Sequence, residues 1–185
     1  MNRAEKTITF KYFIFTIISK LAGKPKFQKA QQKLKKFNLL KNFINWAIKI
    51  EKKLRSRKIP LFSLESQTEI KKFDCIGFSL QYELNYTNVL NILELGGIPI
   101  YAEDRKEGHP IILGGGLGAF NPAPIADFFD CFIIGEAEAV LPQFIDVLKE
   151  CKGMKRYKIL EELSKVKGVY VPSINNRVER QWLPE

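Results

Sequence analysis

Three short, mostly apolar runs constrain this chain more than anything else in it. They are Cys75–Leu80 (CIGFSL), Pro110–Leu113 (PIIL) and Phe128–Ile134 (FFDCFII). Runs this short and this apolar read as strands buried on both faces. Between the first two lies a helical pattern over Asn85–Leu95, with Tyr86, Val89, Leu90 and Leu93 on one face and a Gly96-Gly97 stop. After the third run a second helical pattern carries Leu141, Phe144, Ile145 and Leu148, with Pro142 expected in its first turn. Ile98–Tyr101 reads as a further short strand, Tyr157–Val166 as a short helix and Gly168–Pro172 as a last strand. Strands alternating with helices predict an α/β fold, a Rossmann-like and mostly parallel sheet flanked by helices.

The charge divides the chain differently. Residues 1–60 hold 17 Lys/Arg against Glu5 and Glu51, a net of +15, while residues 61–185 carry −5, which together give the formal +10. Phe27, Ala30, Leu34 and Phe37, then Phe43, Ala47, Ile50 and Leu54, fall at helical spacing among the lysines, and Pro60 closes the segment. The organisation expected is a basic, largely helical arm over 1–58, an α/β domain over 59–173 and a polar tail over 174–185. The arm has two readings, a solvated lysine-rich helix face or a weak contact with nucleic acid or an anionic membrane. No stretch reaches the ~20 apolar residues of a membrane span, Ile8–Ile18 being interrupted by Lys11, and no cleavage site of the signal-peptide kind follows it. The chain is therefore expected in the cytoplasm, where its three cysteines would stay reduced.

The chemistry-bearing residues are few. A single histidine, His109, excludes sites that need two imidazoles, and Cys75, Cys131 and Cys151 show no metal-ligand spacing. Cys75 and Cys131 lie inside expected strands and read as small core residues, and His109 as a surface residue. In open α/β sheets ligands gather beyond the carboxyl ends of the strands. That rule selects the loops 79–83, 114–124 and 135–138. Gly114, Gly115, Gly116 and Gly118 form a glycine-rich stop that is neither a Walker loop nor a dinucleotide fingerprint. It reads as a tight turn or as a cradle for a phosphate-bearing tail. Glu136 and Glu138 stand where a strand enters a helix and read as capping carboxylates, or as a pair that bonds a ligand or a neighbouring domain. Ser79, at a strand end, either caps or touches a ligand.

In combination, IGFSLQYELNYTNVLNILELGGIP, PIILGGGLGAFNPAPIADFFDCFIIGEAEAVLPQFIDVL and GVYVPS resemble the N-terminal, cobalamin-binding-like domain of a radical S-adenosylmethionine (SAM) family. The likeness spans roughly Ile59–Ser173. It implies an accessory domain that positions cofactor or substrate for a core carrying a [4Fe–4S] cluster on CxxxCxxC. It also implies Ser79, Gly114, Gly115, Gly116, Gly135, Glu136 and Glu138 as cofactor-binding positions, with cobalamin as the candidate cofactor. The sequence departs from the pattern in four places: Gln81 replaces a leucine, DxHxxG is missing, the basic arm stands where the family has a first strand and helix, and no CxxxCxxC occurs. Cobalamin would then be held without a protein imidazole on cobalt, and cluster and SAM would belong to a separate or missing portion. The chain reads as truncated or split before its core, not catalytic alone. A stand-alone domain binding a small ligand or nucleic acid, and a remnant without function, are the alternatives.

Overall fold

The computed structural model describes residues 51–63 and 65–183, and the backbone alone of Leu84. The expected arm lies outside the described residues except for 51–58, of which 51–57 are helical. Arg55 ties this helical piece to the domain, donating to Asn91 Oδ1 and Glu94 Oε2 at 2.7 Å each.

The sheet has four strands in the order β1-β2-β3-β4. They are β1 (Cys75–Ser79), β2 (Ile111–Gly115), β3 (Cys131–Ile133) and β4 (Val169–Tyr170). β1, β2 and β3 are parallel, and β4 returns antiparallel beside β3. This is the mostly parallel α/β sheet the apolar runs predict. Helix α1 (Tyr86–Leu95) links β1 to β2, short 3-10 turns over Leu117–Phe120 and Ala123–Phe128 link β2 to β3, and α2 (Ala137–Glu150) with α3 (Arg156–Ser164) leads to β4.

Strand alternation sorts the core into two layers. Ile76, Phe78, Ile112 and Phe132 pack with Val89, Leu93, Ile125 and Phe129 on the α1 side. Cys75, Ile111, Leu113, Cys131 and Ile133 pack with Val140, Phe144, Leu163 and Val166 on the α2–α3 side. Both faces of β2 are thus covered, which is why its sequence carries no polar alternation. α1 stops where its glycines stand: Gly97 N–H bonds Glu94 O at 3.0 Å and Ile98 N–H bonds Leu93 O at 2.9 Å.

Two local expectations are corrected. Ile98–Tyr101 is a loop, not a strand. Pro99 has no N–H for a ladder, and the Pro99 and Ile100 carbonyls accept from Arg105 at 3.0 and 2.7 Å instead of from a neighbouring strand. Pro142 is not in a first turn, because α2 already begins at Ala137. The first turn is only partly exposed, since Val140 is already buried in the core, so the helix meets the core one residue before the apolar pattern expected from Leu141.

Candidate functional site

The parallel strands place their carboxyl ends along one edge. β1 ends at Ser79, whose Oγ accepts from Gln81 Nε2 at 2.8 Å. The β1 and β2 loops are bonded to one another: Leu80 N–H donates to Gly115 O and Gly118 N–H to Leu80 O, both at 2.7 Å. Gly116 sits at φ 93 with its Cα against the Leu80 backbone, where a Cβ would stand 3.0 Å from the carbonyl oxygen. Tyr86 on α1 reaches over the same loop, its hydroxyl donating to Gly118 O at 3.5 Å.

The glycines of this stop do different work. The Cα of Gly114 faces Phe132, and a Cβ there would meet that ring at 2.6 Å, so the missing side chain makes room for an aromatic core. Gly115 has open space where its Cβ would be.

At the end of β3 the tail returns. Gln181 forms a parallel bridge with Gly135, and Gly135, at φ 128, admits the Gln181 backbone where a side chain would collide with it. Glu136 N–H donates to Gln181 O at 2.9 Å, and the Glu136 carboxylate accepts from Leu183 N–H at 2.7 Å. The capping role expected for Glu136 is therefore corrected. It occupies the N-cap position of α2 but makes no side-chain cap bond, because its carboxylate holds the tail. Glu138 stays exposed in the first turn of α2, where a negative charge suits the helix dipole.

The tail closes the circle of loops. The Arg180 guanidinium lies 4.3 Å from the centre of the Phe120 ring and 3.6 Å from that of Trp182. The edge is thus continuous from Ser79 through Gly115–Phe120 and Arg180–Trp182 to Gly135 and Glu136. Of the positions expected to bind cofactor, Gly114 faces the core at Phe132 and Glu138 stands exposed in the first turn of α2, whereas Ser79, Gly115, Gly116, Gly135 and Glu136 lie along this edge. The tail segment at its centre is the part that sequence reasoning missed, since residues after Ser173 show no period.

A second cluster lies at the other edge and was also missed. Asp130, just before β3, accepts at Oδ2 from Arg105 Nη1 at 3.0 Å and from Ile112 N–H at 2.7 Å, and lies 2.7 Å from Arg156 Nη2. Arg105 further donates to Phe128 O at 2.8 Å, and Arg156 donates to the His109 and Pro110 carbonyls at 2.9 and 3.1 Å. Burial lowers the pKa of the Arg105 guanidinium, with Asp130 opposing the shift. One carboxylate and two guanidinium groups that also bond loop and strand-end carbonyls make a clasp across the loops. Within it, Arg156 Nε is the one side-chain nitrogen or oxygen, among the described residues, that is buried without a hydrogen-bond partner. The available signal was Asp130 itself, a charge inside an apolar run, which burial obliges to find a partner.

His109 also belongs to this edge, its Nδ1 accepting from Lys106 N–H at 2.9 Å, away from the carboxyl-edge loops. A cavity of about 490 Å³ lies nearby, lined by His109, Ile111, Ile145 and Lys152 among others. None of the expected site residues reaches it, and three of its lysines are paired, Lys72 with Glu69, Lys149 with Asp146 and Lys152 with Asp74. The functional reading therefore rests on the carboxyl edge, where the loops converge.

The donor set decides which cofactors these residues can hold. Cys75, Cys131 and Cys151 are all buried, and among the described residues no three Cys, His, Asp or Glu stand together to hold a metal ion. Burial raises the Cys131 thiol well above its ordinary pKa, which opposes the thiolate form a cluster requires. These residues do not fit a [4Fe–4S] cluster, and His109 is not placed to ligate cobalt at the carboxyl edge. Among the described residues no helix is long and apolar enough to cross a membrane.

Comparison with known proteins gives two matches. The family described as radical SAM proteins, N-terminal, matches residues 30–172. The uncharacterized protein MJ0966 of Methanocaldococcus jannaschii is 33% identical over 123 residues, which cover 64% of this chain and 25% of that protein. The chain thus spans about a quarter of the length of the curated relative it matches. No solved structure matches.

Proposed function

The chain belongs to the family of radical SAM N-terminal domains, and from that premise we propose that it is the accessory domain of a radical SAM protein, positioning cofactor or substrate for a core that holds the [4Fe–4S] cluster and SAM. When bound, that group supplies reductive SAM cleavage in the core. This chain contributes position and surface, not a ligand to iron. The carrying observation is the continuous carboxyl edge, on which Ser79, Gly115, Gly116, Gly135 and Glu136 meet around the returning tail.

Cobalamin is a finer reading of the same edge. It would lie against the open backbone at Gly115 and would lack a protein imidazole on cobalt, since His109 serves the opposite edge. Three buried free thiols suit the reducing cytoplasm.

Sedimentation velocity of the chain with an anaerobically reconstituted radical SAM core polypeptide, encoded in the same genome and carrying CxxxCxxC, tests the proposal. A one-to-one complex is expected. Independent sedimentation of the two at micromolar concentrations would overturn it.

A further inference from the structure

Resting on that reading, we infer that the carboxyl edge is the docking face for the cluster-bearing core, with Leu117, Phe120, Arg180, Trp182 and Leu183 as its contact surface.

The first reason is exposure. Leu117 is 66% exposed, Trp182 59%, Leu183 50% and Phe120 39%. They form one patch, because Arg180 stacks on both Phe120 and Trp182, Leu117 shares the 3-10 turn of Phe120, and Leu183 is bonded to Glu136 beside them. A contiguous apolar patch costs free energy in water and marks an interaction surface. Its residue types are those that carry binding energy at protein interfaces, a tryptophan and an arginine among aliphatic side chains.

The second reason is polar satisfaction. The Leu80, Gly118 and Glu136 amides and one oxygen of the Glu136 carboxylate, groups a phosphate or ribose would be expected to use, are bonded to the loops and the tail. What remains outward is a largely apolar plate with the Arg180 guanidinium on its rings. Arg180, in contact with both rings, is restrained before any partner arrives, which lowers the entropy cost of docking.

The third reason is what the partner must be. The family comprises the N-terminal portions of radical SAM proteins, and the matched relative has about three quarters of its length outside the aligned segment. A domain of this kind works beside a larger body, and the tail at 179–183 already runs across this edge.

The test places the photo-crosslinker p-benzoylphenylalanine at Leu117, at Trp182 and, as control, at Tyr157, which is 59% exposed on α3. Each chain is irradiated with the reconstituted core. Cross-links to the core from 117 and 182 but not from 157 are expected. In parallel, Leu117→Glu combined with Phe120→Glu should weaken the complex about tenfold or more, with an unchanged melting temperature. A stable complex that cross-links only from 157, or that the paired glutamates leave intact, overturns the docking face and leaves the proposed function standing. Chain-to-chain cross-links from 117 that the core does not displace assign the face to a second copy and overturn the inference. Absence of any complex with the unsubstituted chain removes the proposed function itself.

Discussion

Arg105 and Asp130 stand 25 residues apart, yet they form a 3.0 Å ion pair whose side chains are 0% and 1% exposed. Arg105 also binds the carbonyls of Pro99, Ile100 and Phe128, so one side chain fixes the loop after α1 and the entrance to β3. Removing one partner of such a pair leaves buried groups uncompensated. Arg105→Ala is expected to lower unfolding free energy by about 3–5 kcal/mol, read by urea denaturation. Asp130→Asn leaves two guanidinium groups around a neutral amide and should be at least as damaging. A loss below about 1 kcal/mol for both, the range of exposed pairs, would show that the clasp does not hold the loops.

Adjacent glycines separate packing from conformation. Gly114→Ala puts a methyl into the Phe132 ring and is expected to cost about 1–3 kcal/mol, as overpacking does. Gly115→Ala meets nothing within 4 Å and should change stability by less than about 0.5 kcal/mol. Thermal melting of the two variants checks the pair, and equal losses would mean that the sheet is not packed as described.

The tail depends on Gly135 and Glu136. Gly135→Ala should expel Gln181 from the β3 end, and Glu136→Gln should weaken the charged acceptor of Leu183 N–H. In a Trp46→Phe background Trp182 becomes the only fluorophore of its kind. Its emission should shift to longer wavelength in Gly135→Ala and less so in Glu136→Gln. Amide exchange at Leu183 should quicken in both, while β1–β3 keep their protection. Unchanged emission and exchange would mean the tail is anchored elsewhere.

The buried thiols set an alkaline limit. Burial raises the pKa of Cys131 well above 9.0 and that of Cys151 also above 9.0. Folded thiols therefore keep protons that unfolded ones release. The stability they contribute is full below about pH 9 and is lost as pH rises from the unfolded pKa toward the folded one. Urea midpoints should fall as pH rises above about 9, and Cys131→Ala should flatten that fall apart from a uniform loss for the smaller side chain. Iodoacetamide should label none of the three cysteines at pH 8 without denaturant. Rapid labelling of Cys131 in the native chain would contradict its burial.

The sequence carried the sheet because strands buried on both faces need continuous apolar runs, and CIGFSL, PIIL and FFDCFII have little other use. The strand-end rule also points to the carboxyl edge. Less of the detail was readable. Arg105 lies in the charged stretch EDRKEGHP, which looks solvated, and only tertiary folding brings Asp130 to it. Glu136 stands at the helix start, where a negative charge suits the dipole, but its side-chain partner is 47 residues away. The tail has no periodicity because its bonds go to loops, and Trp182 gave no sign of the stack with Arg180. Local patterning thus reveals elements, whereas of the long-range polar bonds between loops only the clasp leaves a trace in it, the charge of Asp130 inside an apolar run.

The central claim is that this domain docks on a core that holds the iron. The most direct measurement is iron and protein analysis across an anaerobic size-exclusion run of the chain, alone and mixed with a CxxxCxxC-bearing core, after reconstitution with iron and sulfide. The account predicts an iron-free peak for the chain alone and, in the mixture, one complex with about four irons per core. Iron retained stoichiometrically by the chain alone, or separate elution of chain and core, would contradict it.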